Sequence, residues 1–146
     1  MKYTEGKIGR VFVVKFEDRD IVLRETERFC RARKIKSGIC FFIGALREGD
    51  MAAGPKKPVI PPEPNMLSFA GGWETMGIAT IFSGKKGPQV HVHASMGQGG
   101  RVLTGCVRKD SNVFLVLEAV IFELKGVKAS KDIDPKTGLN LLAIGR

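Results

Sequence analysis

The chain has 146 residues, 43% of them hydrophobic, and a mean hydropathy of −0.02. This length and composition predict one globular domain over residues 1–146, and no apolar run approaches the ~20 residues that a membrane-spanning helix needs. Lys and Arg outnumber Asp and Glu by 24 to 15, a net charge of +9. Such a charge attracts polyanions, but it does not by itself identify nucleic acid as the partner.

The N-terminus and the cysteines indicate the cellular compartment. Met1 to Gly6 lack the apolar segment of a signal peptide, so we expect a cytoplasmic protein. Cys30, Cys40 and Cys106 are odd in number and far apart, which does not fit a disulfide framework. No CxxC pair offers a zinc ribbon or a redox motif. In a reducing compartment such cysteines are packing groups, metal ligands or nucleophiles.

The first third of the chain predicts a strand, a helix and a second strand. The β-branched and aromatic run Gly9 to Phe16 is typical of a strand. Asp18 to Asp20 offers N-caps for a helix from Ile21 to about Lys34, and Gly38 then allows the chain to turn. Ile39 to Leu46 is apolar on both faces, as a central strand covered on both sides would be.

The predicted helix has an apolar side and a basic side. At ~100° per residue, the apolar side carries Val22, Leu23, Thr26, Phe29 and Cys30. Arg24, Arg28 and Arg31 lie opposite and could contact nucleic-acid phosphates. A solvated helix face explains the same stripe more simply.

The rest of the chain predicts further strands. Arg47 to Asp50 predicts a turn, and Pro55 to Pro64, with five prolines, an extended loop. The strands that follow are predicted over Met66–Ala70, Glu74–Ser83, Gln89–Ser95, Arg101–Arg108, Val113–Leu124 and, after a turn at Asp134–Gly138, Leu139–Ala143. The pattern predicts an α+β fold, a mostly antiparallel β-sheet sandwich packed with one main α-helix.

The strand around His91 and His93 carries the most informative pattern. Side chains alternate across a sheet, so both histidines of the protein point to one face. If the following glycine-rich turn pairs Met96 with Arg101, then His91 faces Cys106 and His93 faces Thr104. A register slip of two residues keeps this grouping. Two imidazoles and a thiolate suit a tetrahedral divalent metal, most simply zinc, with a fourth position left open.

Other interpretations of these residues stay open. An HxH pair on a strand commonly binds nothing, and Cys106 could be a small buried hydrophobe. Cys106 with His91 could form a nucleophile–base pair, although no hydrolase signature surrounds it. Gly97 to Gly100 resembles a phosphate-binding loop, but no helix follows it, so a tight hairpin is the better account.

Glu118 is the second candidate for a role at this site. Apolar residues precede and follow it, and a carboxylate in such surroundings is costly unless it is paired. It could orient a metal-bound histidine, ligate the metal or act as a base, with Thr104 as a further second-layer group. A salt bridge to an arginine is the structural alternative.

Several segments together resemble the plants-and-prokaryotes-conserved (PPC) domain, a family long described as a domain of unknown function. The resemblance lies in Val11–Phe16, Arg33–Gly38, Phe42–Glu48, His91–Gly97 and Arg101–Cys106. The resemblance spans nearly the whole chain. The chain looks like the stand-alone prokaryotic, archaeal-like members of the family. It implies a mostly antiparallel sandwich that assembles as a homotrimer, with a metal on the HxH strand in some members.

The chain departs from the pattern of the family in two respects. Many members carry a third histidine on the next strand, where this chain has Cys106, which is still a zinc donor. Plant members place the domain after a DNA-binding AT-hook, and this sequence has none. Three functions therefore remain: a trimeric metal-binding protein with a regulatory or ligand-binding role, a DNA-binding protein acting through its basic surface, and a metal-dependent enzyme of unknown substrate.

Overall fold

The computed structural model describes residues 1–108 and 110–145. Within these residues the chain forms one helix, α1 (Val22–Ala32), and eight strands. The strands are β1 (Lys7–Glu17), β2 (Ser37–Pro55), β3 (Pro64–Gly84), β4 (Gly87–Gln98), β5 (Arg101–Val107), β6 (Asn112–Lys125), β7 (Ala129–Ile133) and β8 (Asn140–Ile144).

Hydrogen bonds connect these strands into one sheet in the order β1-β6-β2-β5-β4-β3-β7-β8. The pairings are antiparallel except for one parallel bridge between β3 and β7, at Gly84 and Lys131. β2 also pairs with β3, so β2, β3, β4 and β5 form a closed circuit of strands. The mostly antiparallel sheet with one helix is therefore confirmed, whereas the sandwich arrangement stays a prediction.

The two longest strands differ from the sequence prediction. The predicted turn at Arg47–Asp50 is wrong, because β2 continues through it with a register shift between Leu46 and Glu48. A bulge of this kind absorbs an extra residue without ending the strand. Met66–Ala70 and Glu74–Ser83 likewise belong to one strand, β3. The predicted proline-rich loop is confirmed between the two strands, but its end residues Pro55 and Pro64 pair with each other as the last residue of β2 and the first of β3.

Helix α1 forms where its apolar periodicity predicts, but its ends differ. Its N-cap is Ile21, with no side-chain hydrogen bond, so the predicted aspartate cap is wrong. The Asp20 carboxylate instead accepts a hydrogen bond from the Glu17 backbone N–H at 2.9 Å. The left-handed residue after the helix is Lys34, with φ 57°, and Gly38 lies within β2.

The sheet has one covered face and one open face. On the covered face, α1 buries Val22, Thr26 and Cys30 against the core, with Leu23 and Phe29 partly buried. We call the other side of the sheet the outer face. Two rows of paired residues cross it: Val13, Val120, Phe41, Ile78, His93 and Cys106 in one, and Lys15, Glu118, Ile43, Met76, Ser95 and Thr104 in the next.

The outer face corrects the prediction that β2 is covered on both sides. Phe41 is 43% exposed and Ile43 57% exposed, although β2 is central in the sheet. None of the helical structure in residues 1–108 and 110–145 is long and apolar enough to span a membrane.

Candidate metal centre

Strand β4 presents the two histidines as its alternation predicts. His91 and His93 are exposed on the outer face, whereas Val90, Val92 and Ala94 are buried in the core. The two imidazole centroids lie 4.9 Å apart with the ring planes at 89°. One strand therefore supplies two nitrogen donors side by side.

The β4–β5 hairpin corrects the predicted register by two residues. Gln98 pairs with Arg101 across a loop of only Gly99 and Gly100, whose φ angles are 53° and 81°. Positive φ at both loop residues is what a two-residue hairpin turn requires, and glycine adopts it without strain. His93 therefore faces Cys106, where the sequence predicted Thr104. The shift is even, so the grouping on one face is preserved.

His91, His93 and Cys106 come together on this face. Their candidate ligand atoms, one from each residue, all lie within 4.8 Å of one another. Bonds of ~2.0–2.3 Å to a tetrahedral metal place ligand atoms roughly 3.3–3.7 Å apart, so small side-chain rotations suffice to close the site. The donor set of two imidazoles and a thiolate fits zinc better than magnesium or calcium.

The surroundings change the pKa values of two of these groups. Although His91 is exposed as a residue, its imidazole is partly shielded from water, and this desolvation lowers its pKa; the charges of Lys131, His93 and Arg108 add to the effect. The neutral imidazole that a metal needs is therefore favoured. Burial raises the pKa of Cys106, while Arg108 and Lys131 oppose the rise. Without a metal the thiol form is thus favoured, which argues against an activated nucleophile paired with His91.

Cys106 lies where the circuit of strands closes. It pairs with His93 on one side and with Ala52 of β2 on the other. The preceding Gly105 permits this closure, because a Cβ there would stand 2.4 Å from the Ala52 carbonyl oxygen. Cys106 is only 7% exposed, yet it lies outside the main hydrophobic core cluster.

Thr104 and Glu118 occupy different places from those predicted for a second layer. The Thr104 hydroxyl donates to the Ser95 hydroxyl at 2.9 Å, one row away from His93 and Cys106. Glu118 is on β6, three strand spacings from β4 and therefore roughly 14 Å away across the sheet. Within one chain it does not reach the histidines. Glu118 is also exposed, so the predicted cost of burying its charge does not arise.

The basic stripe of α1 is exposed but partly neutralised. Arg24 and Arg28 both form salt bridges with Glu25, and the Arg31 guanidinium donates to the Lys86 carbonyl oxygen at 3.3 Å. The solvated helix face therefore explains these contacts without a ligand.

Two cations that act on the candidate ligands, Arg108 and Lys131, were missed by the sequence prediction. Arg108 follows Cys106 by two residues, so alternation along β5 could have placed it on the same face. Lys131 lies on β7, a strand that the sequence did not predict, and its approach to the site is a tertiary contact.

The chain is similar to known proteins in sequence and in fold. The model of the Plants and Prokaryotes Conserved (PCC) domain matches residues 3–125. No curated protein matches the chain.

Solved structures of similar fold come from archaea and bacteria. A metal-containing protein from Archaeoglobus fulgidus has a TM-score of 0.85 at 22% identity, over 98% of this chain and 99% of that one. A plant- and prokaryote-conserved protein from Pyrococcus horikoshii has a TM-score of 0.85 at 24% identity, over 100% and 99%. A candidate DNA-binding protein from Ralstonia eutropha has a TM-score of 0.76 at 16% identity, over 91% and 90%.

Proposed function

The chain belongs to the Plants and Prokaryotes Conserved (PCC) domain family, and from this premise we propose that it is a metal-binding protein. His91, His93 and Cys106 are the proposed ligands and zinc the proposed ion. The observation that carries the proposal is the convergence of three donor atoms within 4.8 Å on one face of a two-strand hairpin. The metal-containing relative from Archaeoglobus fulgidus, similar in fold along its whole length, adds support.

The site would hold the metal with three protein ligands. The imidazoles of His91 and His93 would donate nitrogen, and Cys106 would donate its sulfur after losing its proton to solvent. A fourth position would then remain open at the outer face, where both histidines are exposed. When bound, the metal would supply a Lewis-acidic centre. The histidine and cysteine side chains would orient it, and the paired strands would keep their spacing.

Measurement of bound metal tests the site directly. We expect the purified protein to contain about one zinc per chain and the His91→Ala/His93→Ala variant to contain almost none, because one remaining ligand cannot retain the ion. Ser95→Ala is the matched control, since Ser95 lies on the same face of β4 but outside the donor set. Equal metal content in wild type and double variant would exclude the site.

We further propose that the protein assembles as a homotrimer through the outer face. This face exposes large apolar side chains, among them Val13, Phe41, Ile43, Met76 and Ile78. A concavity of about 660 Å³ lies between them, and His93 and Glu118 form part of its lining. Exposed apolar patches of this kind are typical of protein–protein contacts. The two central rows carry only Lys15 and Glu118 as lysine or carboxylate charges, so copies of a +9 chain can approach there with little repulsion.

DNA binding is the second candidate function. The net charge of +9 favours it, and relatives from Ralstonia eutropha and Bacteroides thetaiotaomicron are described as candidate DNA-binding proteins. Binding through phosphates would weaken steeply as salt concentration rises. Absence of duplex DNA binding at ~50 mM salt would exclude this function and leave the metal proposal intact.

A further inference from the structure

Two cations, Arg108 and Lys131, act on the residues of the proposed metal site. The β4–β5 register pairs His93 with Cys106, and Arg108 follows Cys106 by two residues, just past the end of β5. The Arg108 backbone N–H donates to the Asp50 carbonyl oxygen at 2.8 Å, which holds the chain against β2 at this point. The exposed Arg108 side chain therefore begins beside the ligand cluster.

Lys131 approaches the cluster from the C-terminal hairpin of β7 and β8. This hairpin contacts β4 where the Asn140 side-chain amide donates to the Gln89 side-chain oxygen, two residues before His91 on the same face. Lys131 is partly buried, and its positive charge helps to lower the pKa of His91 and opposes the rise that burial causes in the pKa of Cys106.

Neither cation has a carboxylate partner in the described part of the chain. No carboxylate oxygen of residues 1–108 and 110–145 lies within 4.0 Å of the Arg108 guanidinium or the Lys131 ammonium, whereas Arg10, Arg24 and Arg47 each have such a partner. A partly buried lysine without a counter-charge loses hydration and gains no ion pair in return. The exposed Arg108 side chain adds a second cation without an ion pair near the same ligand cluster, and the two charges together favour binding of an anion there.

The net charge of the site with a divalent metal bound also favours an anion. A divalent ion bound by one thiolate and two neutral imidazoles carries a net charge of +1. Arg108 and Lys131 bring the local charge to +3. An anionic group in the open fourth position would reduce that charge, and a guanidinium matches the two oxygens of a carboxylate or phosphate.

We propose that the metal site binds a small molecule through an oxyanion group, a carboxylate or a phosphate, with Arg108 and Lys131 as its positioning cations. This inference rests on the metal site proposed above. The oxyanion would take the open fourth position of the metal.

Cobalt-loaded protein tests the inference, because the visible spectrum of Co²⁺ reports changes in its ligands. Inorganic phosphate and acetate are added in separate titrations. Each replaces chloride in the buffer, so that the ionic strength stays constant. We expect a saturable spectral change. Tighter binding of phosphate would assign a phosphorylated ligand, and tighter binding of acetate a carboxylic acid.

Charge-removing variants separate binding from structural effects. Lys131→Met and Arg108→Met should each weaken anion binding roughly five- to tenfold. They should leave Co²⁺ affinity unchanged or tighter, because a repelling charge has been removed. Lys128→Met is the matched control, with the same charge change on an exposed residue just before β7, and it should bind the anion like wild type.

The two proposals fail in different ways. Wild-type protein that takes up no Co²⁺ would overturn the metal site itself. Protein that binds Co²⁺ but shows no spectral response to either anion would overturn only the oxyanion proposal. Equal anion affinities in the Lys131→Met and Lys128→Met variants would overturn it as well.

Discussion

Arg10 and Glu123 form the ion pair that ties three elements together at one edge of the core. The Arg10 guanidinium donates from Nε to Glu123 Oε2 at 2.8 Å and from Nη2 to Oε1 at 3.0 Å. The same Nη2 donates to the Arg33 carbonyl oxygen at 2.8 Å, just past the end of α1. The Glu123 side chain is only 9% exposed, so β1, β6 and the helix end share one charged contact.

This contact makes part of the stability dependent on pH. The hydrogen bond from Arg10 lowers the pKa of Glu123 from its ordinary 4.5 to about 2, against the opposing effect of burial. A carboxyl with a lowered folded-state pKa binds its proton more readily when unfolded. Its stabilisation is therefore complete above pH 4.5 and is lost as pH falls towards about 2.

Substitution of Glu123 by glutamine tests that contribution. We expect Glu123→Gln to lower the free energy of unfolding at pH 7 by roughly 1–3 kcal/mol, because a charge-assisted hydrogen-bond pair is lost. The difference from wild type should shrink as pH falls from 4.5 to 2. Glu63→Gln is the control, since the salt bridge of Glu63 with Lys56 is exposed and contributes little. Urea denaturation at several pH values measures both, and a pH-independent difference would contradict this account.

Among the elements, the β4–β5 hairpin brings His93 and Cys106 of the proposed metal site together, and Gly105 is its most constrained position. Alanine there would place a Cβ 2.4 Å from the Ala52 carbonyl oxygen, whereas at Gly97 the nearest atom would be 3.7 Å away. Gly105→Ala should therefore force β5 away from β2 and displace Cys106.

The two alanine substitutions form a matched pair in one hairpin. We expect Gly105→Ala to destabilise the fold by roughly 1–3 kcal/mol and to weaken zinc binding, because overpacking against backbone cannot relax by side-chain rotation. Gly97→Ala should leave zinc affinity near wild type. Thermal unfolding and competition with a metal chelator measure the two effects. Equal zinc affinity in both variants would contradict the role assigned to this closure.

The sequence predicted the donor group but not its facing pairs. Alternation along β4 is a local property, so the shared face of His91 and His93 followed directly. The register between β4 and β5 could not be predicted, because the glycine-rich turn allows either a two-residue or a four-residue loop. β7 was not predicted, because the segment Ala129 to Ile133 has serine, lysine and aspartate at its centre and lacks the apolar–polar alternation of a half-buried strand. The approach of Lys131 to the site was unpredictable for the same reason.

At the scale of the whole molecule, the open face of the sheet is the main unexplained surface of the single chain. Ile43 lies near the middle of it and is 57% exposed, so its replacement removes little packing within one copy. A charge at this position would, however, be buried in an assembly that uses the face.

An arginine substitution tests the assembly. We expect Ile43→Arg to convert the trimer to folded monomers, as measured by light scattering with circular dichroism to confirm the sheet. Ile60→Arg is the control, because Ile60 is also exposed but lies in the loop between β2 and β3. A trimer that survives Ile43→Arg, or a monomeric wild type, would exclude assembly through this face.

The loop of Gly99 and Gly100 has a consequence for how the site can change in evolution. The two-residue loop and the pairing of β5 with β2 together set which residue of β5 stands beside His93. If one codon were inserted after it, and the two-residue loop were kept so that β5 slid by one residue, Cys106 would turn towards the core and Val107 outwards, with each candidate ligand codon intact. Two added codons would restore the side-chain parity but place a different residue beside each histidine. The proposed metal site could therefore be gained or lost through an insertion in a turn that supplies none of its ligands.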